Sequence, residues 1–194
     1  IADRRFLHQH PELSHQEYQT TRFIKERLVE FGIWLEPLET ETGVSALIRG
    51  GKPGKTVCIR HDIDALHIQE ETGLSFQSEV DGISHACGHD IHTVIALYCG
   101  KLLNERKEEL AGNVRIVFQP AEETGEGARK MMEAGFQKLT PANDIVVGLH
   151  VHPETPVGQI SLREGAMEAG ADYLRIRIRG KGCHGAHPYQ GVDP

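Results

Sequence analysis

Val114-Arg115-Ile116-Val117-Phe118 runs directly into Gln119-Pro120-Ala121-Glu122-Glu123. Four of the first five side chains are apolar, and β-branched or aromatic residues dominate. Gly112-Asn113 precedes the run and Pro120 follows it, so the stretch predicts a strand over 114–118 that ends in two adjacent carboxylates. Working outward, Thr56 to Arg60 reads as a second strand, buried on both faces, with Asp62 and Asp64 just past its end. Ile145 to Leu149 reads as a further buried strand that ends at His150, and Val44 to Arg49 as another, closed by the turn Gly50-Gly51-Lys52-Pro53-Gly54. Between the strands lie helical patterns. Ser14-His15-Gln16-Glu17 has the form of a capping box. Tyr18, Ile24, Leu28 and Phe31 follow it, predicting a helix over about 15–31 that stops at Gly32. A long helix is expected over 91–109, with Ile91, Val94, Ile95, Tyr98, Leu102 and Leu103 inward, and a short one over 127–134 ending at Gly135. Strands alternating with helices give an α/β fold, a mixed central sheet sandwiched by helices.

In such a sheet, ligands bind outside the carboxyl ends of the strands. Asp62 and Asp64, Glu122 and Glu123, and His150 all fall there, and Cys87, His89 and Asp90 precede the long helix in a Gly-containing loop. Each residue has an ordinary reading. Cys87 suits a small buried position, the aspartates suit turns, and His150 suits a strand end. Their joint placement favours a one- or two-metal hydrolytic site, because thiolate, imidazole and carboxylate together suit zinc or a similar ion. The adjacent pair Glu122-Glu123 suggests a division of labour. One carboxylate would hold metal, and the other would take the proton of an attacking water.

The bulk properties agree. The net charge of −7 argues against a phosphate-binding surface and hence against a nucleic-acid partner. No apolar run approaches the roughly 20 residues that span a bilayer, and no membrane partner is expected. Cys58, Cys87, Cys99 and Cys183 include no Cys-x-x-Cys pair. Reduced thiols and a cytoplasmic location follow. Near residue 165 the pattern changes. Leu174, Ile176 and Ile178 alternate with Arg175, Arg177 and Arg179, which predicts a strand over 173–179 with one wet face. We expect 1–167 to be the N-terminal part of a catalytic domain, and 168–194 to begin a smaller α+β lid or dimerisation domain that the chain opens but does not complete.

The run Arg5-Phe6-Leu7-His8-Gln9-His10-Pro11-Glu12 with Glu17 comes first. Arg60-His61-Asp62-Ile63-Asp64-Ala65-Leu66, His85-Ala86-Cys87-Gly88-His89-Asp90, Gln119-Pro120-Ala121-Glu122-Glu123, Gly148-Leu149-His150 and Gly180-Lys181-Gly182-Cys183-His184-Gly185-Ala186 follow in order. This series resembles the amidohydrolase branch of the aminoacylase/carboxypeptidase G superfamily, which includes hippurate hydrolases, N-acyl-amino-acid deacylases and indole-acetyl-amino-acid hydrolases. The resemblance implies a zinc-exopeptidase-like catalytic domain holding two divalent ions (Zn, Mn, Ni or Co). It implies Cys87, His89, Glu123 and His150 as ligands, Glu122 as general base and Asp62 as the acid that orients a ligand. It implies His184 as a lid-domain histidine that steadies the oxyanion in a partner subunit's site, and therefore a homodimer. The expected substrate is a small N-acyl amino acid, cleaved to a carboxylate and a free amino acid.

Three features depart from the family pattern. His61 stands where relatives usually have Ala, and Cys183 stands where they usually have Gly. The last ligand of relatives, a distant histidine, is expected beyond Pro194. Three alternatives stand beside this reading. They are a metallo-carboxypeptidase or dipeptidase of the same superfamily, a thiol hydrolase with Cys87 as nucleophile and His89 as base, and a fragment that serves only as a structural or interaction module.

Overall fold

The computed structural model describes residues 1–167, 170, 172 and 174–194. These fall into two compact units, Ile1–Glu154 and Thr155–Pro194.

The first unit is built on a five-stranded mixed sheet. Its strands are β1 (Trp34–Leu35), β2 (Val44–Arg49), β3 (Lys52–Asp62), β4 (Ala111–Gln119) and β5 (Ile145–Gly148), in the order β1-β2-β4-β3-β5. β1 and β2 run antiparallel to their neighbours, whereas β3, β4 and β5 are mutually parallel. Four helices complete the unit: α1 (Ala2–Gln9), α2 (Tyr18–Glu30), α3 (His89–Glu105) and α4 (Gly127–Glu133). The alternation of side chains along β4 divides the core. Ile116 and Phe118 join Ile24 and Leu28 of α2 and Ala96 and Leu97 of α3 on one face, while Val117 packs with Cys58 and Met131 of α4 on the other. The sheet is therefore covered by helices on both faces, as the α/β pattern requires. Full burial of a side chain such as Phe118 stabilises by about 1.5–3 kcal/mol. Arg115, also on β4, is fully buried and survives there because Glu36 accepts from its Nε at 2.6 Å and its Nη2 at 2.8 Å.

Several expectations from sequence need correction. The capping box does not form. Ser14 Oγ donates to Asp64 at 2.7 Å and Glu17 accepts the Ala121 N–H at 2.7 Å, so α2 begins at Tyr18 with no side-chain cap. The inner face of α3 is also not the one that its large apolar residues suggested. The buried residues are His89, Asp90, His92, Thr93, Ala96, Leu97 and Gly100, whereas Leu102 is 63% exposed. Small residues win this face because the helix lies close to the sheet: a Cβ on Gly100 would meet Ile116 Cδ1 at 2.4 Å. β5 is not buried either. It pairs only with β3, and Ile145, Val146 and Val147 are about half exposed. Of the strand expected over 173–179, Tyr173 lies outside the described residues, and 174–179 form no strand. Leu174, Ile176 and Ile178 are 70–85% exposed, and among the described residues no strand pairs with this segment. Among the described residues, no helix is long and apolar enough to cross a membrane.

A candidate metal centre at the ends of the parallel strands

Because β3, β4 and β5 run in one direction, their carboxyl ends share one edge. β3 ends at Asp62, β4 at Gln119 and β5 at Gly148, so Asp62 and Asp64, Glu122 and Glu123, and His150 all leave the sheet there. The fourth contributor is the start of α3. Gly88 caps the helix with φ of +88° and His89 is its first residue, not part of a preceding loop.

Glu122 and Glu123 are held by a strained turn. Ala121 sits at φ +50°, a left-handed conformation costly for a residue with a Cβ. Two bonds fix it: Ala121 N–H donates to buried Glu17, and Gly127 N–H donates to Ala121 O at 3.0 Å. Two residues on, Glu123 N–H donates to Asp64 Oδ2 at 3.0 Å.

His89 is fully buried at the centre of the cluster. Its Nδ1 is 3.2 Å from Asp64 Oδ1, which leaves Nε2 facing inward. Nε2 has no hydrogen-bond partner, yet Asp62 Oδ1 and Glu123 Oε1 lie 3.8 Å away and Glu122 Oε2 lies 4.0 Å away. Cys87 Sγ is 3.3 Å from His150 Nε2. Cys87, His89 and His150 form one group whose ligand atoms lie within 4.8 Å of one another, and His89, Glu122 and Glu123 form a second. The acid at His89 Nδ1 is thus Asp64. Asp62, expected to orient a ligand, instead accepts from His92 Nδ1 at 2.5 Å and from Arg60 at 3.0 Å. The pairing is fixed by geometry: Asp62 is the last residue of β3, whereas Asp64 lies beyond the strand.

The electrostatics report an excess of negative charge. Burial and the neighbouring Glu123, Glu122 and Asp62 push the Cys87 thiol up to about 12. Burial, Asp62 and Glu123 raise the Glu122 carboxyl. Burial lowers the basicity of His89, but Asp64, Asp62 and Glu123 outweigh it and raise the net value. Burial is the first cause of the Cys87 and Glu122 shifts, and the crowded carboxylates add negative charge that a bound cation would offset. The buried Nε2 with no hydrogen-bond partner, among thiol, imidazole and carboxylate donors, fits a divalent metal. The raised thiol also counts against Cys87 as a free nucleophile, which needs a depressed pKa; the imidazole against its sulfur is His150 and not the expected His89.

Sequence reasoning missed the support that His92 gives and the contacts that Asp90 makes. His92, three residues after His89 on the buried face of α3, was legible only as a helical repeat. Asp90 is tied to α1 by Arg4 Nε and His8 Nδ1, each at 2.8 Å, and nothing local in the sequence signals that contact. His184 belongs to the second unit. It is exposed in a turn where its Nδ1 accepts the Ala186 N–H at 3.1 Å.

An α/β sheet with paired carboxylates, a thiol and histidines at its carboxyl edge is the arrangement of donors that a metal-dependent hydrolase uses. Residues 58–189 match Peptidase family M20/M25/M40, and the chain belongs to that family. Over its whole length it is 47% identical to an N-acetyl-L-cysteine deacetylase of Bacillus subtilis and 43% identical to an N-acyl-L-amino acid amidohydrolase of Geobacillus stearothermophilus, covering 46% and 52% of those proteins. The chain thus spans about half the length of the curated relatives it matches. Among solved structures, the Bacillus subtilis YXEP protein, described as a dinuclear metal-binding peptidase of the M20 family, superposes with a TM-score of 0.81 at 49% identity over 85% of this chain and 46% of that one.

Proposed function

We propose that this chain supplies the metal site and general base of an amidohydrolase that cleaves N-acyl amino acids to a carboxylate and a free amino acid. The observation that carries the reading is His89 Nε2, a buried, unpartnered imidazole nitrogen facing carboxylates from two strand ends. Cys87, His89, Glu123 and His150 would hold two divalent ions. The chemistry those ions supply, when bound, is polarisation of the amide carbonyl and acidification of the attacking water.

The remaining steps belong to side chains. Glu122 is not needed as a ligand, and burial with the neighbouring Asp62 and Glu123 raises its carboxyl, the direction that favours taking up a proton. It takes a proton from water as the oxygen attacks the carbonyl carbon. It returns that proton to the amine nitrogen as the C–N bond breaks. Asp64 holds His89 in one orientation, so the cluster does not reorganise during the reaction. By its resemblance, His184 is assigned to oxyanion stabilisation in the site of a partner subunit, which makes the whole protein a homodimer; the unpaired cysteines support a cytoplasmic location.

The test is metal analysis of the purified whole protein with zinc, manganese, nickel and cobalt, followed by assay against N-acyl amino acids, hippurate among them, and peptides with free carboxyl termini. Metal-dependent release of free amino acid from the acyl substrates is expected. Preferential cleavage of peptides would favour the carboxypeptidase alternative, and activity that survives complete chelation would overturn the reading.

A further inference from the structure

His92 lies among the candidate ligands without being free to act as one. It is fully buried, and both ring nitrogens are engaged. Nδ1 is 2.5 Å from Asp62 Oδ1, and Nε2 is 3.0 Å from the backbone nitrogen of Val151. A carboxylate can only accept and a peptide N–H can only donate. His92 must therefore carry its proton on Nδ1 and present a bare Nε2 to Val151. The Val151 carbonyl in turn lies 2.7 Å from His150 Nδ1. That oxygen can only accept, so His150 also carries its proton on Nδ1. The bare Nε2 of His150 is then the atom that faces Cys87 Sγ at 3.3 Å.

We propose that His92 is a positioning residue that fixes the place and tautomer of the candidate ligand His150 through the backbone of Val151. The inference rests on reading Cys87, His89, Glu123 and His150 as ligands. His150 is exposed and follows the edge strand β5, and its ring meets His92 edge-on with centroids 4.6 Å apart. What holds the segment is the start of α3, on two sides. His92 grips the Val151 N–H, and the Val151 side chain lies against Gly88, where a Cβ would approach Val151 Cγ2 to 2.5 Å. Asp62 is itself anchored by Arg60 at 3.0 Å, and Arg60 by Gln119 at 3.0 Å. The order Asp62, His92, Val151, His150 thus links the ends of β3 and β5 through α3. A histidine that merely filled the core beside Asp62 would have no need to aim its second nitrogen at a ligand's neighbouring peptide.

Two substitutions separate positioning from packing. In His92→Asn the amide can stand in for Nδ1 and keep Asp62 paired, but nothing reaches Val151. In His92→Gln the longer amide can stand in for Nε2 and keep an acceptor for the Val151 N–H. Zinc affinity of this chain is measured by competition with a chromogenic chelator, and the tautomers of His92 and His150 are read by nitrogen-15 NMR of the metal-free chain. We expect His92→Asn to weaken zinc binding about 10- to 100-fold, with His92→Gln within about threefold of the unsubstituted chain. We expect the Nδ1–H tautomer on both histidines, kept on His150 in the Gln variant and lost in the Asn variant. Equal zinc affinities in the two variants, or an Nε2–H tautomer on His92, would overturn the proposal. If His89→Ala and His150→Ala bind zinc as tightly as the unsubstituted chain, the metal-centre reading has failed instead. The NMR arm then still decides the positioning: a His150 tautomer indifferent to Asn or Gln at 92 rejects it, and one that follows the substitution upholds it.

Discussion

Two neighbouring carboxylates, Glu122 and Glu123, differ through what holds them. Glu123 is tied by its backbone to Asp64, the same acid that orients His89, whereas Glu122 is the more exposed of the two and has a raised pKa. His61, one residue before Asp62, shows the same dependence on surroundings with a different result. It is fully buried and neither ring nitrogen has a hydrogen-bond partner. Burial, His92 from α3 and Arg60 on its own strand together outweigh the pull of Asp62 and lower its pKa from 6.5 to about 4. Between those values the unfolded chain binds a proton that the folded chain refuses, so stability falls as pH drops from 6.5 toward 4. His61 should account for a loss of about 1.3 kcal/mol between about pH 7.5 and 5.5. Denaturant titrations of His61→Ala and the unsubstituted chain at both pH values check this: the variant should lose less by that amount, and parallel losses would show that His61 is not held neutral. The sequence marked His61 as unusual but could not show its burial. Type and spacing drew attention to Cys87, His89, Glu122, Glu123 and His150, and the resemblance pointed to Asp62 as the orienting acid, whereas the acid against His89 Nδ1 is Asp64. Spacing alone cannot tell which of two aspartates, two residues apart, reaches a given imidazole.

At the scale of elements, the centre depends on a turn that no secondary-structure pattern encodes. Ala121 is held at positive φ by buried Glu17 from the segment before α2 and by Gly127 at the start of α4. Gly127 cannot be exchanged for a residue with a side chain, since a Cβ there would lie 1.5 Å from the Pro120 carbonyl oxygen. Gly127→Ala should therefore destabilise the chain by about 3 kcal/mol or more, measured by chemical denaturation. It should also weaken metal binding, because Glu123 is displaced with the turn. A variant as stable as the original chain would mean that the turn has another conformation available. The strands and α4 were legible because their apolar runs are short and bounded by Gly, Pro and Asn. The start of α2 and the inner face of α3 were not. In both, side chains that would follow local rules are committed elsewhere: Ser14 to Asp64, Glu17 to Ala121, and His89 and His92 to the aspartates after β3. Tertiary demands of the site override propensity at these positions.

For the whole molecule, the order of motifs along the chain was more informative than any one of them, because a parallel sheet converts separation in sequence into proximity at one edge. The mixed sheet between helical layers followed from that order with four of its five strands, while α1 and the short β1 have patterns too brief to stand out. The second unit was the least legible. Alternation over 174–179 is a necessary condition for a strand but not a sufficient one, since a strand also needs a neighbour to take its backbone hydrogen bonds. The central claim is that adjacent carboxylates serve different purposes, Glu123 holding metal and Glu122 moving the proton. The most direct test is to determine metal content and turnover together for Glu122→Gln and Glu123→Gln in the whole protein. Glu122→Gln should retain its full metal complement while turnover falls by roughly 10²- to 10⁴-fold, and Glu123→Gln should lose metal along with activity. Near-normal turnover in Glu122→Gln, or loss of metal from it as complete as from Glu123→Gln, would contradict the account.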